Sequence, residues 1–133
     1  MPESREKTPK ASHPSVSVVG AGTWGTVLAH AMAACADVAL YSATGRNVEV
    51  LRQERRHPKL PGFILDARVR VKDRGAEEFK AAGIVVLAVA SRFVRETARR
   101  LSPLVDTGTV VCLAAKGLEE GSGKTLSQVV AEE

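Results

Sequence analysis

A chain of 133 residues, 44% hydrophobic and 26% charged, has room for one domain with a true core and is neither disordered nor fibrous in composition. Aromatic residues make up only 4%, which calls for an aliphatic core of the kind found in parallel α/β sheets. No apolar run approaches the ~20 residues of a membrane span, and a net charge of +4 without aromatic residues between the basic ones argues against nucleic acid.

The first fourteen residues, Met1 to Pro14, are polar, lack the apolar centre of a secretory signal and are expected to form a disordered tail. Residues 15–133 then form the folded unit. The run Val16-Ser17-Val18-Val19 reads as a strand that stops at Gly20-Ala21-Gly22-Thr23-Trp24-Gly25. Val27, Leu28, Ala31, Met32 and Cys35 follow at helical spacing. Gly20, Gly22 and Gly25 occupy the three glycine positions of a dinucleotide fingerprint. The first allows a tight turn, the second a close phosphate approach, and the third close helix packing. A glycine triplet alone is a weak signal. Here a strand precedes it and a helix follows, and the helix's free N–H groups can hold phosphates.

Further along, Asp37–Tyr41 reads as a second strand, and a short helix surrounds Val48 and Leu51. The segment Arg55 to Gly62, with two prolines and a glycine, breaks regular structure. Alternation of Val69 and Val71 with Arg68, Arg70 and Lys72 marks a half-exposed edge strand. A short helix with Phe79 and Ala82 inward leads to Ile84–Val89, a run apolar on both faces and so a central parallel strand. Val94, Ala98 and Leu101 set the next helix, with Arg92, Arg95, Arg99 and Arg100 mostly outward. Thr109–Ala114 is a fifth strand, followed by Lys116-Gly117, a glycine-containing loop and a last helix from about Lys124. This alternation specifies an α/β, doubly wound parallel sheet of Rossmann type, in one domain, with order 3-2-1-4-5. Such sheets bind ligands at the carboxyl ends of their strands. The glycine loop, the Ser91-Arg92-Phe93 turn and Lys116 all fall on that edge.

Between Arg46 and Arg74 nine basic residues stand against four acidic ones, a local excess of five. This segment is either a solvated basic face or a means of steering a phosphorylated ligand. Cys35 and Cys112 sit among apolar residues. They read as buried, reduced thiols of a cytoplasmic protein, with no disulfide framework. His13, His30 and His57 have no metal-ligand spacing, and no metal site is expected.

Gly20-Ala21-Gly22-Thr23-Trp24-Gly25-Thr26, Leu60-Pro61-Gly62, Ala88-Val89-Ala90-Ser91 with Arg95, and Lys116-Gly117-Leu118-Glu119 together resemble the cofactor-binding half of NAD(P)-dependent glycerol-3-phosphate dehydrogenase. The resemblance covers about Val16 to Glu133. It implies NAD or NADP as cofactor and hydride transfer between dihydroxyacetone phosphate and glycerol 3-phosphate. It implies that Thr23 and Trp24 meet the pyrophosphate through their backbone and that Phe93 packs near the dinucleotide. Lys116 would contact cofactor and substrate together. The family's helical catalytic domain, which carries the general-base lysine, is expected beyond the chain end, so the catalytic residue is not in this sequence. The expected partners are a small phosphorylated substrate and either a second copy or that helical domain. No membrane is expected.

Several departures stand beside the match. Tyr41-Ser42-Ala43-Thr44 replaces the family's tryptophan and basic residue after the second strand. Ala90 stands for its usual proline, and His57-Pro58-Lys59 replaces an asparagine and a tyrosine. Other readings stay open on the residues alone. Lys116-Gly117 is equally an ordinary turn, Phe93 a helix-start core residue, and Trp24 a cover for the helix end. Glu119 and Glu120 fall in a glycine-flanked loop expected to be mobile. The chain as a whole could be a dinucleotide-binding module that performs no catalysis. Gly121-Ser122-Gly123-Lys124-Thr125 has a P-loop's ending, but Leu118 stands where that motif needs its first glycine.

Overall fold

The computed structural model describes residues 13–75, 79 and 83–133. Five strands, β1 (Ser15–Val19), β2 (Asp37–Tyr41), β3 (Arg70–Lys72), β4 (Ile84–Leu87) and β5 (Val110–Leu113), form one sheet in the order β3-β2-β1-β4-β5. Every neighbouring pair is parallel, with Val18 opposite Leu40 on one side and Val86 on the other. The order reverses beside β1, as the doubly wound topology requires. Among the described residues four α-helices accompany the sheet: α1 (Thr23–Met32), α2 (Val48–Gln53), α3 (Val94–Leu101) and α4 (Leu126–Glu132). The anticipated helix before β4 falls almost wholly outside the described residues, as does Ala82. Phe79 alone is described there, and it is buried edge-to-face against Tyr41.

Strand alternation sends side chains to two separate cores. Val16 and Val18 of β1 pack with Ala29 of α1, Leu51 of α2 and the loop residue Leu65. Val19 turns to the opposite face with Tyr41, Phe79, Val85, Leu87 and Leu101 of α3. A third cluster of Val89, Val94, Leu126 and Val129 seats α4 against the start of α3. All of these side chains are aliphatic except Tyr41 and Phe79, so the low aromatic content is matched by the packing. Burying a side chain such as Leu51, fully enclosed here, stabilises the fold by about 1.5–3 kcal/mol.

Both cysteines overturn the expected burial: they are exposed. Cys35 lies in the turn after α1, not within the helix. Cys112 belongs to β5, an edge strand whose residues are exposed or only partly covered, Val110 to 60%. An apolar strand at the sheet edge looks like a buried one in sequence, because its covering element is not part of the pattern. The thiols therefore say nothing about compartment. Among the described residues no helix is long and apolar enough to cross a membrane.

The basic segment is largely committed to structure. Arg68 pairs with Asp66, Arg70 with Asp37, Arg52 with Asp73, and Arg74 with Glu96. Arg55 donates to the carbonyls of Asp66 and Val69, which ties the irregular loop before β3 to itself.

Candidate functional site

The three fingerprint glycines are held for three different physical reasons. Gly20 has φ of +120°, and a Cβ there would lie 2.4 Å from the Ala88 carbonyl oxygen. Gly25 is buried in the first turn of α1, where a Cβ would lie 1.7 Å from the Gly20 carbonyl oxygen. Both are dictated by packing of β1, α1 and the end of β4. Gly22 differs. It caps α1 at φ −78° and ψ −171°, extended backbone open to any residue, with nothing within 4 Å of the point a Cβ would occupy. Nothing inside the described chain requires glycine there. What the position offers is clear space at the amino end of a ten-residue helix, whose first-turn N–H groups have no intrahelical partners and no side-chain cap. That is a cradle for an anion, and the residues fit a dinucleotide's pyrophosphate.

Two cavities adjoin at the carboxyl edge of the sheet. One, about 230 Å³, is bounded by the Gly20–Gly22 turn, the Ser42–Thr44 loop with Arg46 and Asn47, and Phe93. The other, about 830 Å³ and largely apolar, runs between Trp24 of α1 and Cys112 to Lys116 at the end of β5. Val89 and Ala90, after β4, wall both. Thus Gly20, Gly22 and Phe93 share one compartment while Trp24 and Lys116 share the next. Thr23 is exposed at the start of α1, and Gly25 packs beneath the turn against Gly20. Phe93 is 40% exposed beside the Arg92 guanidinium, and so is not helix-start core. Trp24, 56% exposed, covers little.

The loop after β2 is built by Ser42. Its buried hydroxyl accepts the amide of Gly45 at 2.8 Å and, at 3.4 Å, that of Thr44, and donates to the Arg46 carbonyl at 3.0 Å. Gly45, at φ +83°, closes the turn. No acidic side chain is present in Ser42–Asn47.

Sequence reasoning missed how Lys116 is placed. The loop that follows it is tied down at Glu119. Arg95 of α3 forms a bidentate pair with Glu119, at 2.6 and 2.8 Å, and also reaches Glu133 and Glu132. Ser122 donates to Glu119 as well, and Leu118 bridges to Thr125. Arg95 and Ser122 hold the Glu119 carboxyl down at about 2. Arg95 is therefore an anchor, not an outward cation, although its pairing with Glu119 spans 24 residues and left no local trace. The P-loop-like ending is absorbed by the same structure: Thr125 caps α4 in a reciprocal capping box with Gln128, and Lys124 pairs with Glu132.

His57 is a second residue whose placement the sequence concealed. It is a loop histidine, but 4% exposed, and it contacts the fingerprint turn. His30 lies in α1, where its Nδ1 accepts the Asp66 amide. No group of three or more potential metal ligands occurs among the described residues.

Comparison with known proteins agrees with this geometry. A family model described as "NAD-dependent glycerol-3-phosphate dehydrogenase N-terminus" matches residues 15–133. Glycerol-3-phosphate dehydrogenase [NAD(P)+] of Desulfitobacterium hafniense is 44% identical over 121 residues, 89% of this chain and 34% of that protein. The enzyme of the same name from Agathobacter rectalis is 37% identical over 89% of this chain and 36% of its own length. A crystal structure of glycerol-3-phosphate dehydrogenase from Coxiella burnetii superposes with a TM-score of 0.79 at 28% identity, covering 92% of this chain and 38% of that one. The chain spans about a third of the length of the curated relatives it matches. By its glycine turn, its sheet order and these matches, the chain belongs to the NAD-dependent glycerol-3-phosphate dehydrogenase family, of which it represents the amino-terminal, cofactor-binding part.

Proposed function

We propose that the chain binds NADP(H) at least as well as NAD(H) across the carboxyl edge of its sheet, and that it serves reduction of dihydroxyacetone phosphate to glycerol 3-phosphate and the reverse. The observation that carries the binding is the open space at Gly22, an unforced glycine at the helix end where a phosphate must come close. Gly20, Gly22, Thr23, Trp24 and Gly25 form the phosphate turn, and Phe93 walls the compartment beside it. Lys116 lies exposed at the larger cavity as a point charge suited to a phosphorylated substrate. The absence of an acid in the Ser42–Asn47 loop, together with Arg46 on the cavity wall, favours a 2′-phosphate over repelling it.

When bound, the nicotinamide supplies the hydride. This chain contributes binding, orientation and positive charge. Proton transfer to the substrate oxygen needs an acid held near the reacting carbon, and Glu119, locked to Arg95, is not free to serve. We assign that step to a helical domain outside residues 15–133, which would also cover the apolar cavity between Trp24 and Cys112. Calorimetric titration of NADPH and NADH into the parent and into Gly22→Val tests the binding. Equal affinity of both proteins would refute the site. The alternative, a binding module without catalysis, is favoured by the openness of the larger cavity, and is separated by the turnover assay described below.

A further inference from the structure

The Ala21 carbonyl, in the middle of the fingerprint turn, is held from two directions. Asn47, the residue before α2, donates its side-chain Nδ2 to it at 3.4 Å. The buried ring of His57 faces the same oxygen. Tautomer logic fixes which nitrogen can donate: His57 Nδ1 accepts the Lys59 backbone N–H at 3.1 Å, so in the neutral ring the proton is on Nε2. Nε2 lies 3.1 Å from Asn47 Nδ2, and the two groups converge on one oxygen. Asn47 is itself pinned in left-handed backbone at φ +65°. A trans peptide is planar, with its C=O and the following N–H pointing in opposite directions. Fixing the Ala21 carbonyl toward His57 and Asn47 therefore fixes the Gly22 N–H the other way. Gly22 is exposed and borders the smaller cavity.

We infer that His57 and Asn47 are positioning residues for the dinucleotide, which aim the Gly22 amide at the pyrophosphate by holding the Ala21–Gly22 peptide plane. This rests on the cofactor reading given above and adds to it two residues distant in sequence from Ala21: Asn47, which also walls the smaller cavity, and the buried His57, which does not line it. It also couples the loop that ends in Leu60-Pro61-Gly62 to the phosphate turn.

A pH readout follows. Three groups face the ring: the Ala21 carbonyl from the phosphate turn, Asn47 from the start of α2, and Lys59 from its own loop. Burial, and secondarily the Lys59 charge, lower the ring's pKa below 6.5, opposed by the Ala21 bond. The ring is neutral at pH 7. A second proton must enter at Nδ1, where the Lys59 N–H already points, so protonation breaks the arrangement. The affinity for NAD+, which has no phosphate titrating in this range, should fall as pH drops through that pKa.

Calorimetric titration of NAD+ between pH 5 and 8 tests this on the parent chain, His57→Gln and His57→Leu. Glutamine keeps a donor for Ala21 and should bind within about threefold of the parent at pH 7 while losing the pH dependence. Leucine fills the space without a donor and should bind about tenfold more weakly. A leucine variant that binds like the parent, or a glutamine variant with unchanged pH dependence, overturns the inference. Failure of the parent to bind NAD+ at all would instead refute the cofactor reading, and the inference with it. Should the leucine variant not fold, ¹⁵N spectra of the parent decide. The Gly22 amide signal must shift with the titration of the His57 ring, and a Gly22 signal that stays fixed while the ring titrates overturns the positioning role.

Discussion

Gly25 of α1 lies so close to Gly20 at the end of β1 that a single added carbon would come within 1.7 Å of the Gly20 carbonyl oxygen. The helix and strand meet there with backbone against backbone. Gly25→Ala must push them apart and should destabilise the fold by about 3 kcal/mol or more, read as a lower denaturation midpoint with an unchanged slope.

Gly22→Val should behave in the opposite manner. Its backbone already suits a branched residue, so stability should change by no more than ~1 kcal/mol. Dinucleotide affinity should fall at least about a hundredfold, because the side chain fills the phosphate's place. The pair of variants separates a glycine needed for folding from one needed for a ligand.

Arg46→Ala should weaken NADPH by about tenfold and leave NADH nearly unchanged, since only the former offers a 2′-phosphate to the cation. Titration of both cofactors at two ionic strengths checks it. A parent chain that prefers NADH at both would count against the assignment.

Purified residues 1–133 should bind dinucleotide without oxidising NADPH when dihydroxyacetone phosphate is added. The reacting carbon would lie in an open cavity whose lining ammonium, Lys116, is exposed to water. Robust turnover that is lost in Lys116→Ala would show that no further domain is needed.

Acid should loosen the Lys116 loop over a defined range. Arg95 and Ser122 lower the Glu119 carboxyl from its usual 4.5 to about 2, and Arg95, Arg99 and Lys124 lower Glu132 and Glu133 in the same direction. The unfolded chain then binds more protons than the folded one below its ordinary carboxylate pKa. The contribution is complete above about pH 4.5 and shrinks as pH falls toward 2. Melting temperature measured from pH 7 to 2.5 should drop over that interval, and Arg95→Met should flatten the drop.

How far the sequence reached depended on the distance over which each feature is encoded. The strands, their order and the glycine turn are written in contiguous patterns of period and punctuation, and they were legible. The Arg95–Glu119 lock and the His57–Ala21 contact join residues far apart in the chain, each through one side chain with no repeating pattern, so they were not. Cys112 was misjudged for another reason. Apolar character identifies a strand but does not say whether anything lies on top of it, and β5 is an uncovered edge.

That same exposure makes Cys112 a chemical reporter. Its thiol borders the larger cavity a short way before Lys116 in the chain. Cys35, also exposed, sits in the turn that returns α1 to the amino ends of the strands, at the opposite rim of the sheet. A maleimide footprint thus carries its own internal standard. Whatever fills the cavity shields one thiol and leaves the other to react at its native rate, so the ratio of the two alkylated peptides reads occupancy without any catalytic turnover.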